Sequence, residues 1–254
     1  MIKKINYKEF YEEFLKTSVG QQVLNDFDEI TCTNNHHPSI IMLSQGHKST
    51  CRELLGNPNI KSTNNNTTIS IVTFYYLQFL QEKNPKNIYD IGCGWNIWSK
   101  YIPNIIGIDN ISHYAHVLED YNLDYINKNY KKIESAFSIN MSSSMPKHSV
   151  VDKDIPITFA NLAEYIEQFS SIIKPGGRGY VALPAIVPLI TTSTKWFEDN
   201  NLTRYAIPEL TNYVEQVILL QKNIKVIALD IELDILNCFP SHDGEIRVVF
   251  EVLS

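Results

Sequence analysis

The sequence predicts an α/β protein built on a mostly parallel β-sheet, and three stretches of the chain support that prediction. Residues 87–110 have the pattern of a strand, a glycine turn, a short helix and a second strand. Residues 157–173 place apolar side chains at helical spacing and lead through Lys-Pro-Gly-Gly into another apolar strand. Two β-rich runs, 224–236 and 245–253, are separated by turn residues and predict a C-terminal antiparallel hairpin.

Composition and charge limit the classes of protein to consider. The 254 residues are 44% hydrophobic and 20% charged, which is enough for a sizeable core in one large domain, or in one domain plus an extension. The formal net charge of -6 argues against a broad basic face for nucleic acid. No apolar run approaches the roughly 18 residues of a membrane span, and the first residues contain no apolar signal region. We therefore expect a soluble, cytoplasmic protein with no membrane partner.

The first quarter of the chain differs from the rest. Residues 7–27 have apolar side chains near helical spacing and predict a helix. From residue 31 to 63 the pattern gives way to Asn, His, Pro, Ser and Gly, interrupted by an apolar patch at 40–43. A segment this long is either an irregular cap over the core or a lid that covers a substrate. Residues 69–81 are strongly apolar and predict a further helix, which Thr67 or Thr68 could cap.

The cysteines do not predict a disulfide scaffold or a metal site. Cys32, Cys51, Cys93 and Cys238 are scattered without any Cys-x-x-Cys pair, which suits a reducing compartment. Cys32 with His36, and His47 with Cys51, are residue types that bind zinc. Their spacing fits none of the usual zinc signatures, so we predict that they bind no structural metal.

Residues 88–94 contain the densest functional pattern in the sequence. A short β-favouring apolar run around Asp90 predicts a buried strand. Gly92 and Gly94 follow it, one residue apart. Glycine serves at such a position because a sharp turn needs positive φ and because a ligand must approach bare backbone.

A second strand follows the turn after a short connection. A helix of one or two turns is predicted around residues 96–101, and Pro103 stops it. The apolar residues 105–108 then form a buried strand that ends at Asp109. An acidic side chain at such a strand tip is placed to accept hydrogen bonds from the two hydroxyls of a ribose.

This stretch resembles motif I, and the acidic position that follows it, of class I S-adenosylmethionine-dependent methyltransferases. The family pattern is an acid followed by Gly-x-Gly-x-Gly, matched here by Asp90, Gly92, Gly94 and, in the third place, Asn96. Asn is the residue after glycine that best tolerates a left-handed backbone. The resemblance implies that S-adenosylmethionine is the cofactor, that Gly92, Cys93 and Gly94 pack against its methionine part, and that Asp109 holds its ribose.

The resemblance also implies the architecture. It covers residues 67–254 and implies a Rossmann-like, seven-stranded α/β domain with a C-terminal antiparallel hairpin, preceded by a helical and loop-rich extension of residues 1–66. A nicotinamide-binding unit is the competing interpretation of the glycine turn. That unit requires Gly-x-Gly-x-x-Gly, and its last position is occupied here by Ile97.

Later strand tips add candidate residues. Asn110 could also reach the ribose. Residues 116–120 predict a short third strand that ends at Asp120, where the family contacts the adenine amino group, although Asp124 is a rival for this role. Residues 136–140 predict a fourth strand, and the resemblance implies that Asn140 at its end faces the transferable methyl group.

The sequence leaves the methyl acceptor open and identifies no catalytic residue. In DNA and glutamine amino-methyltransferases the fourth strand is followed by Pro-Pro and an aromatic residue, whereas residues 141–144 here are Met-Ser-Ser-Ser. We therefore predict an S-adenosylmethionine-dependent methyltransferase of unknown acceptor. The alternative is a methyltransferase-like domain that has kept the fold and serves as a binding or assembly module.

Overall fold

The computed structural model describes residues 7–26, 29–32, 41–44, 68–94, 96–109, 115–118, 133–139, 159–184, 212, 215–232 and 245–254. The strands of the main sheet are β4 (Ile88–Ile91), β5 (Ile105–Asp109), β6 (Val117–Leu118), β7 (Ile133–Ile139), β8 (Ile173–Pro184), β9 (Ile224–Glu232) and β10 (Glu245–Val252). Their order across the sheet is β6-β5-β4-β7-β8-β10-β9. Six of these strands run parallel, and β10 runs antiparallel between β8 and β9. The α/β class, the mostly parallel sheet and the C-terminal antiparallel hairpin are thus confirmed.

Helix α4 (Phe159–Ser171) covers one face of the main sheet. Its side chains Tyr165, Ile166 and Phe169 are almost fully buried, in one cluster with Ile91 of β4 and Ile108 of β5. Their spacing of one, three and four residues is the apolar stripe that the sequence predicts. Burial of this stripe therefore places α4 on the sheet.

The opposite face is covered by three helices from the first third of the chain, namely α1 (Tyr7–Phe14), α2 (Ser18–Asp26) and α3 (Ile71–Gln81). Phe14 and Phe74 pack with ring centroids 4.8 Å apart, and Phe74 meets Trp98 edge to face at 5.2 Å. The sequence predicts one helix over 7–27, but the chain breaks into α1 and α2 because Thr17 starts a new helix. The Gly20 N–H donates to the Thr17 hydroxyl at 2.9 Å, as at a helix N-cap. No helix among the described residues is long and apolar enough to cross a membrane.

A second, three-stranded antiparallel sheet includes part of the segment, residues 31–63, that the sequence predicts to be loop-rich. Its strands are β1 (Glu29–Cys32), β2 (Ile41–Ser44) and β3 (Thr68–Ser70), in that order across the sheet. β2 pairs with both neighbours. The expectation of an irregular segment is wrong at β2 and at the end of β1. The expectation that Thr67 or Thr68 caps the next helix is also wrong, because Thr68 belongs to β3 and the helix begins only at Ile71. Strands of three or four residues are too short for their periodicity to be recognised in the sequence. Their backbone hydrogen bonds go to strands that are separated from them in sequence.

The Lys-Pro-Gly-Gly sequence lies inside β8 and not between a helix and a strand. The register of β8 against β7 shifts between Ile133 and Ser135, so the four residues form an irregularity at the start of the strand. Gly176 has φ 76°, a conformation that glycine adopts without steric cost. A Cβ at Gly177 would lie 2.5 Å from the carbonyl oxygen of Glu134, so only glycine allows this close approach of the two strands.

Candidate functional site

The glycine turn lies at the carboxyl end of β4, where the sheet topology changes direction. The chain passes from β4 to β5 and β6 on one side, and then returns to β7 on the other side of β4. The carboxyl end of β4 is therefore the switch point of the sheet. Ligands of open α/β sheets bind in the crevice at this place, because the loops on either side of it run apart.

The turn is built from three positions with left-handed backbone. Gly92 has φ 73°, Gly94 φ 49° and Asn96 φ 50°. The N–H groups of Gly92 and Cys93 both donate to the carbonyl oxygen of Ile108, at 2.8 and 3.1 Å. The left-handed conformation expected at Asn96 is thus observed, and hydrogen bonds tie the turn to the neighbouring strand.

Asp109, at the tip of β5, holds the turn from the other side. Its side chain is 9% exposed, and its Oδ2 accepts a hydrogen bond from the Gly94 N–H at 3.0 Å. Asp109 therefore fixes the glycine turn through a charge-assisted hydrogen bond.

Asp90 is a second buried carboxyl group at the same place. Its side chain is 3% exposed, and Oδ2 has no hydrogen-bond partner among the described residues. Asp90 pairs with Gly107 in the β4–β5 ladder, so Asp109, two residues further along β5, lies on the same face of the sheet. Burial, and secondarily the charge of Asp109, raise the pKa of Asp90 well above its ordinary value. Both effects favour the neutral, protonated form of the Asp90 carboxyl group.

Cys93, between the two glycines, is not set up as a nucleophile. It is 9% exposed, and burial together with the charges of Asp90 and Asp109 raises the pKa of its thiol strongly. The thiolate is the reactive form of cysteine. Cys93 therefore fills space under the turn as a small apolar side chain.

Two residues that the sequence analysis does not assign to the site, Gly107 and His116, support the turn. A Cβ on Gly107 would lie 2.5 Å from Asn96 Oδ1 and 2.7 Å from Cys93 Sγ. The Gly107 N–H donates to His116 Nδ1 at 3.0 Å, and Asn96 Nδ2 lies 3.3 Å from the same nitrogen. The signal for Gly107 is present in the sequence, because a glycine inside a buried strand marks the close approach of another group. His116 has no such signal.

A short 3₁₀ helix (Ile97–Lys100) follows the turn, where the sequence predicts one or two helical turns. Helix α2 holds it in place through Asp26. The Asp26 carboxylate accepts a hydrogen bond from the Tyr101 hydroxyl at 2.9 Å and pairs with Lys100 Nζ at 2.9 Å. Burial, followed by the contact with Asp26, raises the pKa of Tyr101, so its hydroxyl remains a donor. The N-terminal helices therefore buttress the segment that follows the glycine turn.

Several predicted site residues lie outside the described part of the chain. These are Asn110, Asp120, its rival Asp124, and Asn140. The strand predicted over 116–120 is present as β6, and the strand predicted over 136–140 is present as β7. Of the residues weighed as zinc ligands, Cys32 lies in β1, while His36, His47 and Cys51 lie outside the described residues. Within the described ranges, no group of three His, Cys, Asp or Glu side chains is arranged to hold a metal ion.

Comparison with known proteins gives similarities at the level of structure. No family model matches the sequence. No curated protein matches it either. Among solved structures, the chain is similar to an S-adenosylmethionine-dependent methyltransferase from Anabaena variabilis, with 12% identity, a TM-score of 0.43 and coverage of 99% of this chain and 98% of that one. It is also similar to an O-methyltransferase from Bacillus cereus in complex with S-adenosylhomocysteine, with 10% identity, a TM-score of 0.41 and coverage of 95% and 99%.

An rRNA methylase from Streptococcus thermophilus is a further similar structure. It shares 13% identity with this chain at a TM-score of 0.39, over 71% of this chain and 95% of that one. Similarities at these identities and TM-scores carry no argument about activity. What the chain does is therefore argued from its own site residues.

Proposed function

We propose that this protein is an S-adenosylmethionine-dependent methyltransferase whose cofactor binds at the carboxyl end of β4. One observation carries the proposal. At the switch point of the sheet, a turn of left-handed residues is closed by the hydrogen bond from Gly94 N–H to the carboxylate of Asp109. This arrangement combines bare backbone for close approach of a ligand with an acidic group for a ribose diol.

The charges around the turn favour an adenosyl cofactor over a dinucleotide. In dinucleotide sites the pyrophosphate lies at the N-terminus of an α-helix. Here the turn leads into a 3₁₀ helix of four residues and is flanked by the carboxyl groups of Asp90 and Asp109. The cation of this 3₁₀ helix, Lys100, is paired with Asp26 at 2.9 Å. The Asp109 carboxylate disfavours phosphates and favours a cationic nucleoside without phosphates, such as S-adenosylmethionine.

The chemistry asked of this chain is mainly positioning. When bound, the cofactor supplies an electrophilic methyl group on its sulfonium sulfur. The backbone of Gly92 to Gly94 and the carboxylate of Asp109 would orient the cofactor at the carboxyl ends of β4 and β5. In-line attack by a held nucleophile gains its rate from proximity and orientation, so a dedicated acid–base pair is not required. This agrees with the failure of the sequence to identify a catalytic residue.

A charge deletion at Asp109 tests the proposal. We expect Asp109→Ala to bind S-adenosylhomocysteine roughly ten- to hundredfold more weakly, because hydrogen bonds to a charged group contribute about 1.5–3 kcal/mol and about 1.4 kcal/mol is a factor of ten. The matched control is Glu134→Gln. Glu134 lies at the amino end of β7, away from the carboxyl ends of the strands, and its side chain pairs with Lys174. Calorimetric titration measures both affinities, and melting curves report folding. Equal affinities in the two folded variants would remove Asp109 from the site.

The same titration, followed by a methylation assay, addresses the module alternative. A domain that has lost the activity and kept the fold would bind the cofactor without transferring its methyl group to any acceptor, or would not bind it at all. Turnover of S-adenosylmethionine by the wild-type protein, lost in Asp109→Ala, would favour the enzyme over the module.

A further inference from the structure

Asp90 is unusual among the acidic residues of the described chain, because it is buried on a sheet face with one oxygen that no described residue satisfies. Its side chain is 3% exposed, and Oδ2 is the oxygen without a described partner. A buried polar atom left without a hydrogen bond costs about 1–3 kcal/mol. In a native protein such a group calls for an explanation, such as a bound ion, a water molecule or a catalytic role.

The groups that face Asp90 supply no compensating positive charge. From β5 it faces the Asp109 carboxylate, and from the turn the Cys93 thiol; both interact with it electrostatically. On β8, Tyr180 shares the same face, because both residues are in register with Phe137 of β7. From α3, Tyr76 stacks on Tyr180 with ring centroids 5.0 Å apart. None of these titratable groups is a cation.

Cations on the neighbouring elements form ion pairs with other carboxylates. Lys100 pairs with Asp26 at 2.9 Å. Arg247 of β10 pairs with Asp230 of β9 at 2.8 Å. Ionising Asp90 in the free protein would therefore place two negative charges side by side in a buried position, which strongly favours the neutral acid.

A ligand with net positive charge would reverse this preference. S-Adenosylmethionine carries a sulfonium in addition to its ammonium and carboxylate, so its net charge is positive. S-Adenosylhomocysteine lacks the sulfonium, and its two remaining charges cancel. An opposite charge nearby favours the ionised form of a carboxyl group, and a neutral ligand does not.

We propose that Asp90 is the charge-compensating residue of the cofactor site, neutral in the free protein and ionised when the cationic methyl donor binds. The inference rests on the proposed function. One proton leaves the Asp90 carboxyl group for solvent on binding of S-adenosylmethionine, and none leaves on binding of S-adenosylhomocysteine. The protein would thus prefer methyl donor over demethylated product increasingly as pH rises.

Calorimetric titration in buffers of different ionisation enthalpy measures this proton directly. Between pH 5.5 and 7.0, where an ordinary α-amino group stays protonated, the wild-type protein should release close to one proton per S-adenosylmethionine bound. Its dissociation constant should fall by up to about tenfold per pH unit, since one pKa unit corresponds to 1.36 kcal/mol. S-Adenosylhomocysteine, titrated into the same protein, should release essentially no proton.

Asp90→Asn provides the matched variant, because the amide has nearly the shape of the neutral acid and cannot ionise. It should bind S-adenosylmethionine without proton release and with little dependence on pH, and a melting curve verifies that it is folded. Release that persists in Asp90→Asn would assign the proton to another group, such as His116, and overturn the inference. Binding of both ligands to wild type with equal proton release would overturn it as well. Absence of binding by either ligand would overturn the proposed function and this inference together.

Discussion

Gly107→Ala probes the packing beneath the glycine turn. Gly107 has no positive φ, so the alanine fits the backbone, and loss of unfolded-state freedom alone would stabilise the protein by about 0.4–1 kcal/mol. The new Cβ, however, would lie 2.5 Å from Asn96 Oδ1, 2.6 Å from Asn96 Cγ and 2.7 Å from Cys93 Sγ. Overpacking of this kind costs about 1–3 kcal/mol. We expect a net destabilisation of about 0.5–2 kcal/mol and a turn displaced from its ligand-binding shape.

Gly179→Ala in β8 is the matched control. Its Cβ would collide with the ring of Phe250 and lie 2.8 Å from Ile173 Cδ1, within the core and away from the turn. Urea unfolding should show that both variants lose stability. Calorimetric titration with S-adenosylhomocysteine should show at least a tenfold loss of affinity for Gly107→Ala, which is about 1.4 kcal/mol, and no loss for Gly179→Ala. Undiminished affinity in Gly107→Ala would refute the assignment of Asn96 and Cys93 to the site.

Three further predictions concern stability, pH and metal content. Arg178→Ala should lower the free energy of unfolding by about 1–3 kcal/mol, because Arg178 donates to the Phe79 carbonyl oxygen at 2.6 Å and to Glu82 at 2.7 Å. Lys174→Ala removes only an exposed ion pair with Glu134 and should cost less than about 1 kcal/mol. Equal losses in urea unfolding would contradict this prediction. Folding raises the pKa of Asp90, so the contribution of Asp90 to the free energy of unfolding is complete below the unfolded pKa of about 3.9. This contribution is lost as the pH rises towards the pKa of Asp90 in the folded protein. Asp90→Asn should therefore gain stability relative to wild type by up to about 1.4 kcal/mol per pH unit in that window, and a gain for wild type with rising pH would show the sign to be wrong. Elemental analysis of chelator-washed protein should find less than one zinc per chain, and a tightly held zinc lost in Cys51→Ser would disprove the prediction drawn from the cysteine and histidine spacing.

The parts of the fold that the sequence predicts are those encoded in short, continuous patterns. The strand before Gly92, the strand that ends at Asp109 and helix α4 each have their apolar residues at the spacing of their own secondary structure. The left-handed backbone at Asn96 agrees with the tolerance of Asn for that conformation. Local pattern thus suffices for the elements that frame the turn.

The remaining features depend on partners that are distant in sequence. The three-stranded sheet forms because β2 pairs with β1 and with β3, and other stretches of chain separate these strands. Asp26 and Tyr101 are 75 residues apart, and nothing local to either residue predicts their hydrogen bond. The raised pKa of Asp90 likewise follows from burial and from Asp109 on the neighbouring strand. Such properties emerge only when the chain has folded.

The most direct test of the central claim is the ligand preference of the wild-type protein, measured by thermal shift with calorimetric titration. We expect S-adenosylmethionine and S-adenosylhomocysteine to stabilise the protein, by roughly 2.7 kcal/mol at a ligand concentration about 100 times the dissociation constant. NAD at the same concentration should leave the melting temperature unchanged. Stabilisation by NAD and none by either adenosyl compound would contradict the assignment of this site to a methyl-donor cofactor.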